Sequence, residues 1–304
     1  MVRQISGVDL VHPARALNGE RPGWHAGRQR LFWVDIREPA LHCFDPVTGT
    51  DQSWEMPAWI GCYALTDGGA LVALRTGLYD VDFDAGSLSF RAEAPFDPRR
   101  FIFNDGRCDR VGRFFAGPMY LPLRPGDQQD GPRTAPLWRY EPPGRWHAVS
   151  PGVSTSNGLA WSPDGRTMYH SDTAQKLIWA CDYDEATGAV ANRRVFAHVE
   201  VEDPQGGPDG ATVDRDGFYW CAVFANTCLL RFDPAGRLER RVAMPVKYPT
   251  MPSFGGPNLD ILYVTSATWP IPDDERDAHP LEGGIFALEA PAPGLASVIF
   301  DPTR

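Results

Sequence analysis

Residues 206–217 read Gly206-Gly207-Pro208-Asp209-Gly210-Ala211-Thr212-Val213-Asp214-Arg215-Asp216-Gly217. They place a carboxylate at the start of a short strand and close that strand with an Asp-Gly turn. Asp209 stands four residues before the apolar Val213, and the same offset separates Asn157 from Trp161, Asn104 from Cys108 and Glu20 from Trp24. Four oxygen-bearing side chains thus share one position of a repeated unit. If the units form a ring, these side chains meet at its centre.

Working outward, one phrase recurs six times: a strand ending in an aromatic or apolar residue, an acidic residue, then a turn with Gly or Pro. LHCFDPVTG (41–49) and LLRFDPAG (229–236) are examples, and the copies lie about 49 residues apart on average, the spacing of propeller blades. A β-rich phrase precedes each copy, as LFWVDI (31–36) and FYWCAVF (218–224) do. Two phrases in fixed order, six times, describe an all-β, six-bladed β-propeller of four-stranded antiparallel blades, a single domain over residues 1–304. The segments GVDLVHPARAL and ASVIFD both read as outer strands, giving seven candidates for six places. Pairing between the two ends of the chain is therefore expected to close the ring and remove exposed sheet edges. No helical periodicity of useful length is present.

A chain of 304 residues, 43% hydrophobic, with 29 Pro and 30 Gly, can bury a full core and turns often. The net charge of −10 disfavours nucleic acid and anionic membrane as partners. The first residues, MVRQISGVDLVHPA, lack an apolar run of signal-peptide length, and a cytoplasmic location is expected. Cys43, Cys62, Cys108, Cys181, Cys221 and Cys228 form no CxxC pair and read as reduced core residues.

Antiparallel alternation puts the starts of the innermost strands on the same face as the connections between second and third strands. Two of those connections are long, 120–136 and 268–284, and both are expected to rim the mouth of a central cavity. Glu20, Asn157 and Asp209 are hard oxygen donors, and two carboxylates with one amide balance a divalent cation. Asn104 is a fourth donor, placed for metal or for substrate. Asn-Gly and Asp-Gly are ordinary turn dipeptides on their own; recurrence at one offset is what marks them. Blade two carries Gly61 there, and blade six is ambiguous near Thr250. The scattered histidines offer no HxH or HExxH, His170 reads as a strand residue, and the nucleophile-elbow and phosphate-loop motifs are absent. The ten tryptophans read by default as core or blade-interface residues.

At this point the chain resembles the gluconolactonase and regucalcin (senescence marker protein) family of the calcium-dependent phosphotriesterase superfamily. The resemblance rests on GERPGWHAGRQRLFWVDI (19–36), FNDGRCDRVGRFFAGPM (103–119), SNGLAWSPDGRTMYHSDT (156–173), GGPDGATVDRDGFYW (206–220) and SFGGPNLDILYVTSA (253–267). It implies one divalent metal in the central channel, held by Glu20, Asn157 and Asp209, with Asp209 also the acid/base and Asn104 a substrate-binding residue. Departures are Ile102, where the family commonly has Arg, Gly117-Pro118-Met119 in place of GTM, and Arg21-Pro22 after Glu20 in place of Gly-Pro.

The expected activity is opening of a sugar lactone to the sugar acid, the metal polarising the ester carbonyl and Asp209 moving the proton. Phosphotriester hydrolysis, calcium binding without turnover, and a protein-binding platform are the rival readings. An oxygen-only site admits Ca2+, Mg2+, Mn2+, Zn2+ or Fe2+. By alternation Ile102 is expected to face the channel beside Asn104, with Tyr120 nearby, and so to bear on selectivity.

Overall fold

The computed structural model describes residues 7–121 and 132–304. Six four-stranded sheets follow one another around a ring. The innermost strands are Gly19–His25, Ile60–Leu65, Phe101–Cys108, Ser156–Trp161, Gly207–Val213 and Pro249–Gly255, in blades one to six. Each blade is an antiparallel meander running outward, and the recurrent acidic phrase ends the third strand. In blade one, Ala40–Phe44 is followed by Asp45, whose Oδ1 accepts from the Val47 amide at 2.9 Å and whose Oδ2 accepts from the Thr48 hydroxyl at 2.8 Å. This local Asx turn is why the phrase repeats.

Inner strands are buried on both faces, whereas outer strands alternate little and are charged. Ser156–Trp161 is buried throughout, while most of Ala189–His198 is exposed. The core lies between blades: Phe32, Val72 and Trp54 pack blade one on blade two, and Tyr169, Tyr219 and Phe232 pack four on five. Near the axis the backbones approach so closely that a Cβ on Gly61 would lie 2.0 Å from the Phe103 carbonyl oxygen. That contact explains why blade two offers no side-chain donor.

The ring closes with the N-terminal strand. Asp9–His12 takes the outer place of blade six, pairing Leu10 with Phe286 and Asp9 with Ala287. The C-terminal candidate, ASVIFD, is not a strand. Phe300, 3% exposed, is buried among residues of blades two and three that include Phe103 and Tyr140, and its amide donates to Leu65 O at 2.7 Å. Leu295, Ala296, Ser297 and Val298 cross below the inner strands and enclose a space of about 80 Å³ with Arg21 and Arg107. The described helix content is one 3-10 turn, Arg276–Ala278, and no described helix is long and apolar enough to cross a membrane. The described cysteines form no disulfide, and all but Cys43 are buried.

Candidate metal centre and substrate cavity

The inner strands do not run straight to the axis. Each is bulged at the equivalent place, whether or not a donor sits there: between Glu20 and Gly23, Ile60 and Cys62, Phe103 and Gly106, Asn157 and Ala160, Pro208 and Ala211, and Pro249 and Pro252. A bulge re-aims side chains at the cost of one ladder position. By pairing register, Glu20 and Asn157 stand at the edge of their bulges, and Asn104 and Asp209 lie one residue further, inside theirs. The constant offset along the chain is therefore not one constant register position. Even so, Glu20, Asn104, Asn157 and Asp209 all line a single cavity of about 530 Å³. Thr250 does not; its hydroxyl turns to Gly19 O at 2.5 Å and to Thr265 at 2.8 Å.

Hydrogen bonds fix the orientation of the amides. The Thr173 hydroxyl donates to Pro208 O at 2.8 Å, so its remaining capacity is as acceptor, and Asn157 Nδ2 donates to it at 2.8 Å. Asn157 Oδ1 must then point the other way. It accepts from Asn104 Nδ2 at 3.0 Å and keeps a lone pair for a cation. Asn104 Nδ2 also donates to Ser156 O at 2.9 Å, which leaves Asn104 Oδ1 open to a metal or a substrate hydroxyl.

The carboxylates lack a counter-ion. Among the described residues no ion pair is formed by Glu20 or Asp209, Arg21 acting on Glu20 only through its charge, and Asp209 is only 7% exposed. Burial, with Asp105 adding to it, pushes the Glu20 carboxyl up to about 8, although the Arg21 amide donates to Glu20 Oε2 at 3.0 Å. Burial and then the Glu20 charge push Asp209 well above the usual carboxylate range. Two carboxylates in this condition, beside the Asn157 amide in one cavity, fit a hard divalent cation. The fit depends on Asn157, because no three His, Cys, Asp or Glu of the described residues form a metal-holding group.

Sequence reasoning missed Asp105. Buried at 6% exposure, it receives the Leu159 amide on Oδ2 at 2.8 Å, has no partner for Oδ1, and is itself raised by burial. Asn104-Asp105-Gly106 was the available signal, hidden by the assumption of strict alternation. Of the upper wall, Trp269 belongs to the 268–284 connection expected there; missed were Ile36, Arg37 and Thr173 from other second-to-third connections, Phe224 at the end of the second strand of blade five, and Trp59 ahead of the inner strand of blade two. Trp59 and Trp269 thus depart from the core role expected of tryptophans.

Tyr120 and Leu121 line the cavity from blade three. Residues 122–131 of the expected 120–136 rim lie outside the described residues. The 268–284 connection reaches the mouth through Trp269, stacked on Phe224 at 5.9 Å. Ile102 behaves differently from the expectation. It is 1% exposed, it is not among the lining residues, and its cross-strand partner Met119 takes the wall position instead. His170 is a buried strand residue whose Nε2 lies 2.7 Å from Ser156 Oγ; burial lowers its pKa to about 4.

Comparison with known proteins places the chain in a family. Residues 18–268 match the family described as SMP-30/Gluconolactonase/LRE-like region. A 6-deoxy-6-sulfogluconolactonase of Pseudomonas putida is 37% identical over 93% of this chain and 94% of its own length. A pentonolactonase of Haloferax volcanii is 34% identical over 91% and 92%. The crystal structure of a calcium-binding protein, regucalcin, from Agrobacterium tumefaciens superposes with a TM-score of 0.87 at 27% identity, covering 97% of both chains. Its fold, its matched length and its relatives make this chain a member of the SMP-30/gluconolactonase/LRE-like family.

Proposed function

We propose that this chain is a metal-dependent hydrolase that opens the ring ester of a sugar lactone to the corresponding hydroxy acid. The observation that carries the reading is the convergence of Glu20, Asn157 and Asp209 on one cavity of about 530 Å³, a small-molecule size, in a chain whose relatives are named for sugar lactones. Glu20, Asn157 and Asp209 would hold a divalent ion, which when bound supplies Lewis-acid polarisation of the ester carbonyl and compensates the two carboxylates.

Asp209 accepts a proton as water adds to the carbonyl carbon. It returns that proton to the ring oxygen as the carbon–oxygen bond breaks, so one water is consumed and one hydroxy acid is formed. Asn104 Oδ1 accepts from a substrate hydroxyl, and the Asn104 amide is held for this by Ser156 and Asn157. Tyr120 and Met119 flank the same end of the cavity.

The test is a pH-indicator assay of aldonolactones on chelated protein with each metal restored in turn, corrected for spontaneous opening. Asp209→Asn is expected to lower kcat by about 10²–10⁴-fold. Wild-type rates in that variant would overturn the mechanism. A second reading, calcium binding without turnover, draws on the calcium-binding neighbour. Tight metal binding with no rate above the spontaneous one would favour it.

A further inference from the structure

Arg37 is the one basic residue among the described residues that line the cavity. Its guanidinium carbon lies 5.3 Å from the centre of the Trp59 ring and 4.3 Å from that of Trp269. Nearby Asp35 does not pair with it, because both carboxylate oxygens are taken by backbone amides: Leu17 at 2.7 Å on Oδ2, and Asn18, Arg37 and Glu38 at 3.0–3.1 Å on Oδ1. No described residue accepts a hydrogen bond from the guanidinium. Other enclosed arginines hydrogen-bond to protein acceptors: Arg113 to Asp109 at 2.9 Å, Arg231 to Asp214 at 2.7 Å, Arg21 to Gly106 O at 2.6 Å and Arg107 to Ala211 O at 3.0 Å. Burial lowers the Arg37 pKa and the charge of nearby Asp35 only partly offsets it, with no hydrogen bond between the two side chains.

Two indole faces hold a guanidinium by cation–π attraction and leave its N–H edge bare. Unpartnered donors of a half-buried cation are costly, and an oxyanion satisfies two of them at once. The cavity is also polarised, with Glu20, Asp209 and the amides on the inner strands and Arg37 with the aromatic rings on the connections above them. With a divalent ion compensating Glu20 and Asp209 the first end carries no net charge, and Arg37 leaves the second end positive and attractive to a negative group on the substrate.

We infer that Arg37 binds an oxyanion carried on the substrate carbon remote from the ring ester, so that the preferred lactones bear a terminal sulfonate, phosphate or carboxylate. The inference rests on the lactonase reading and deepens it. With the anion at Arg37, the ring ester is directed to Glu20, Asn157 and Asp209. The competing role for Arg37 is to fasten Trp269, and with it the 268–284 connection, to blade one.

The experiment compares glucono-1,5-lactone with its 6-deoxy-6-sulfo and 6-phospho analogues, and glucose-derived lactones carrying a C6 carboxylate, using wild type, Arg37→Met and Arg37→Lys. Arg37→Met is expected to lower kcat/KM for the anionic lactones by about 10–100-fold, through KM, and for glucono-1,5-lactone by about 2-fold or less. Arg37→Lys is expected to recover part of the loss, and added salt to erode the anionic preference of wild type and Arg37→Lys but not of Arg37→Met. The arm with the largest loss identifies the oxyanion. An equal fall for neutral and anionic lactones in Arg37→Met, or a wild type without anionic preference, overturns the inference. Binding of 6-deoxy-6-sulfogluconate against gluconate, followed by tryptophan fluorescence, separates the two readings. If no lactone is turned over yet wild type binds the sulfo acid preferentially and Arg37→Met does not, the lactonase reading fails and the Arg37 site stands. Equal binding of both acids by wild type overturns the site.

Discussion

Replacing Glu20 with Gln in metal-free protein should stabilise the fold at alkaline pH and leave it unchanged at acid pH. Glu20 is raised from an ordinary 4.5 to about 8, chiefly by burial. Between those values the native state holds a proton that the unfolded chain has released, so wild-type stability falls as pH rises through that window and is flat above it. The distance from 4.5 to about 8 sets a ceiling of about 5 kcal/mol. Asp209 competes for the same proton, and the expected difference is smaller, about 2 kcal/mol. Gln is nearly isosteric with protonated Glu and does not titrate, so the variant should match wild type near pH 4.5 and exceed it near pH 9. The assay is denaturant unfolding of chelated protein followed by tryptophan fluorescence across that range. Adding a divalent cation should reverse the order at neutral pH, because a ligand that binds the native state of wild type more tightly stabilises it more. A variant less stable than wild type at every pH without metal would refute the account of these carboxylates as an uncompensated pair.

Two further outcomes are expected. Thr173→Val removes the acceptor that orients Asn157, and should weaken metal affinity by about 10-fold with the fold intact, measured by calorimetry on chelated protein; unchanged affinity would mean that Thr173 does not set the amide. His170 is lowered from 6.5 to about 4 by burial, so the unfolded chain takes up a proton that the native state refuses, and wild type loses about 3 kcal/mol as pH falls through that window. His170→Leu should flatten this acid limb, and an identical slope in urea midpoints would count against it.

What the sequence made legible is what is settled locally. Asp45 with Val47 and Thr48 builds its turn from neighbours four residues apart or fewer, so the blade count could be read from such phrases. Glu20, Asn104, Asn157 and Asp209 were legible by recurrence. Their register was not, since a bulge changes which face a residue meets without changing its spacing along the chain. The same assumption misplaced Ile102, two residues ahead of Asn104. Trp59 and Trp269 differ from buried Trp33 only in what stands opposite them, and that is decided by distant connections. GVDLVH and ASVIFD are equally good strands by pattern; burial of Phe300 between blades two and three takes the second out of competition.

Arg21 shows how the bulge and the charge problem are linked. It follows Glu20 as Gly158 follows Asn157, and both residues have positive φ, 51° and 64°. Glycine adopts that conformation freely, while any other residue pays roughly 1 kcal/mol or more. At Gly158 no side chain could be accommodated, since a Cβ would lie 2.3 Å from the Tyr219 hydroxyl. At position 21 there is room, and the guanidinium runs below the carboxylates, donating from Nε to Gly106 O at 2.6 Å and lying 5.4 Å from the centre of the Tyr63 ring. Its charge lowers the pKa of both Glu20 and Asp105. It makes no ion pair with either, so it moderates their repulsion without occupying the oxygens a cation needs. The strained arginine therefore offsets part of the cost of assembling the carboxylates before a metal arrives, and leaves the remainder as the driving force for binding one.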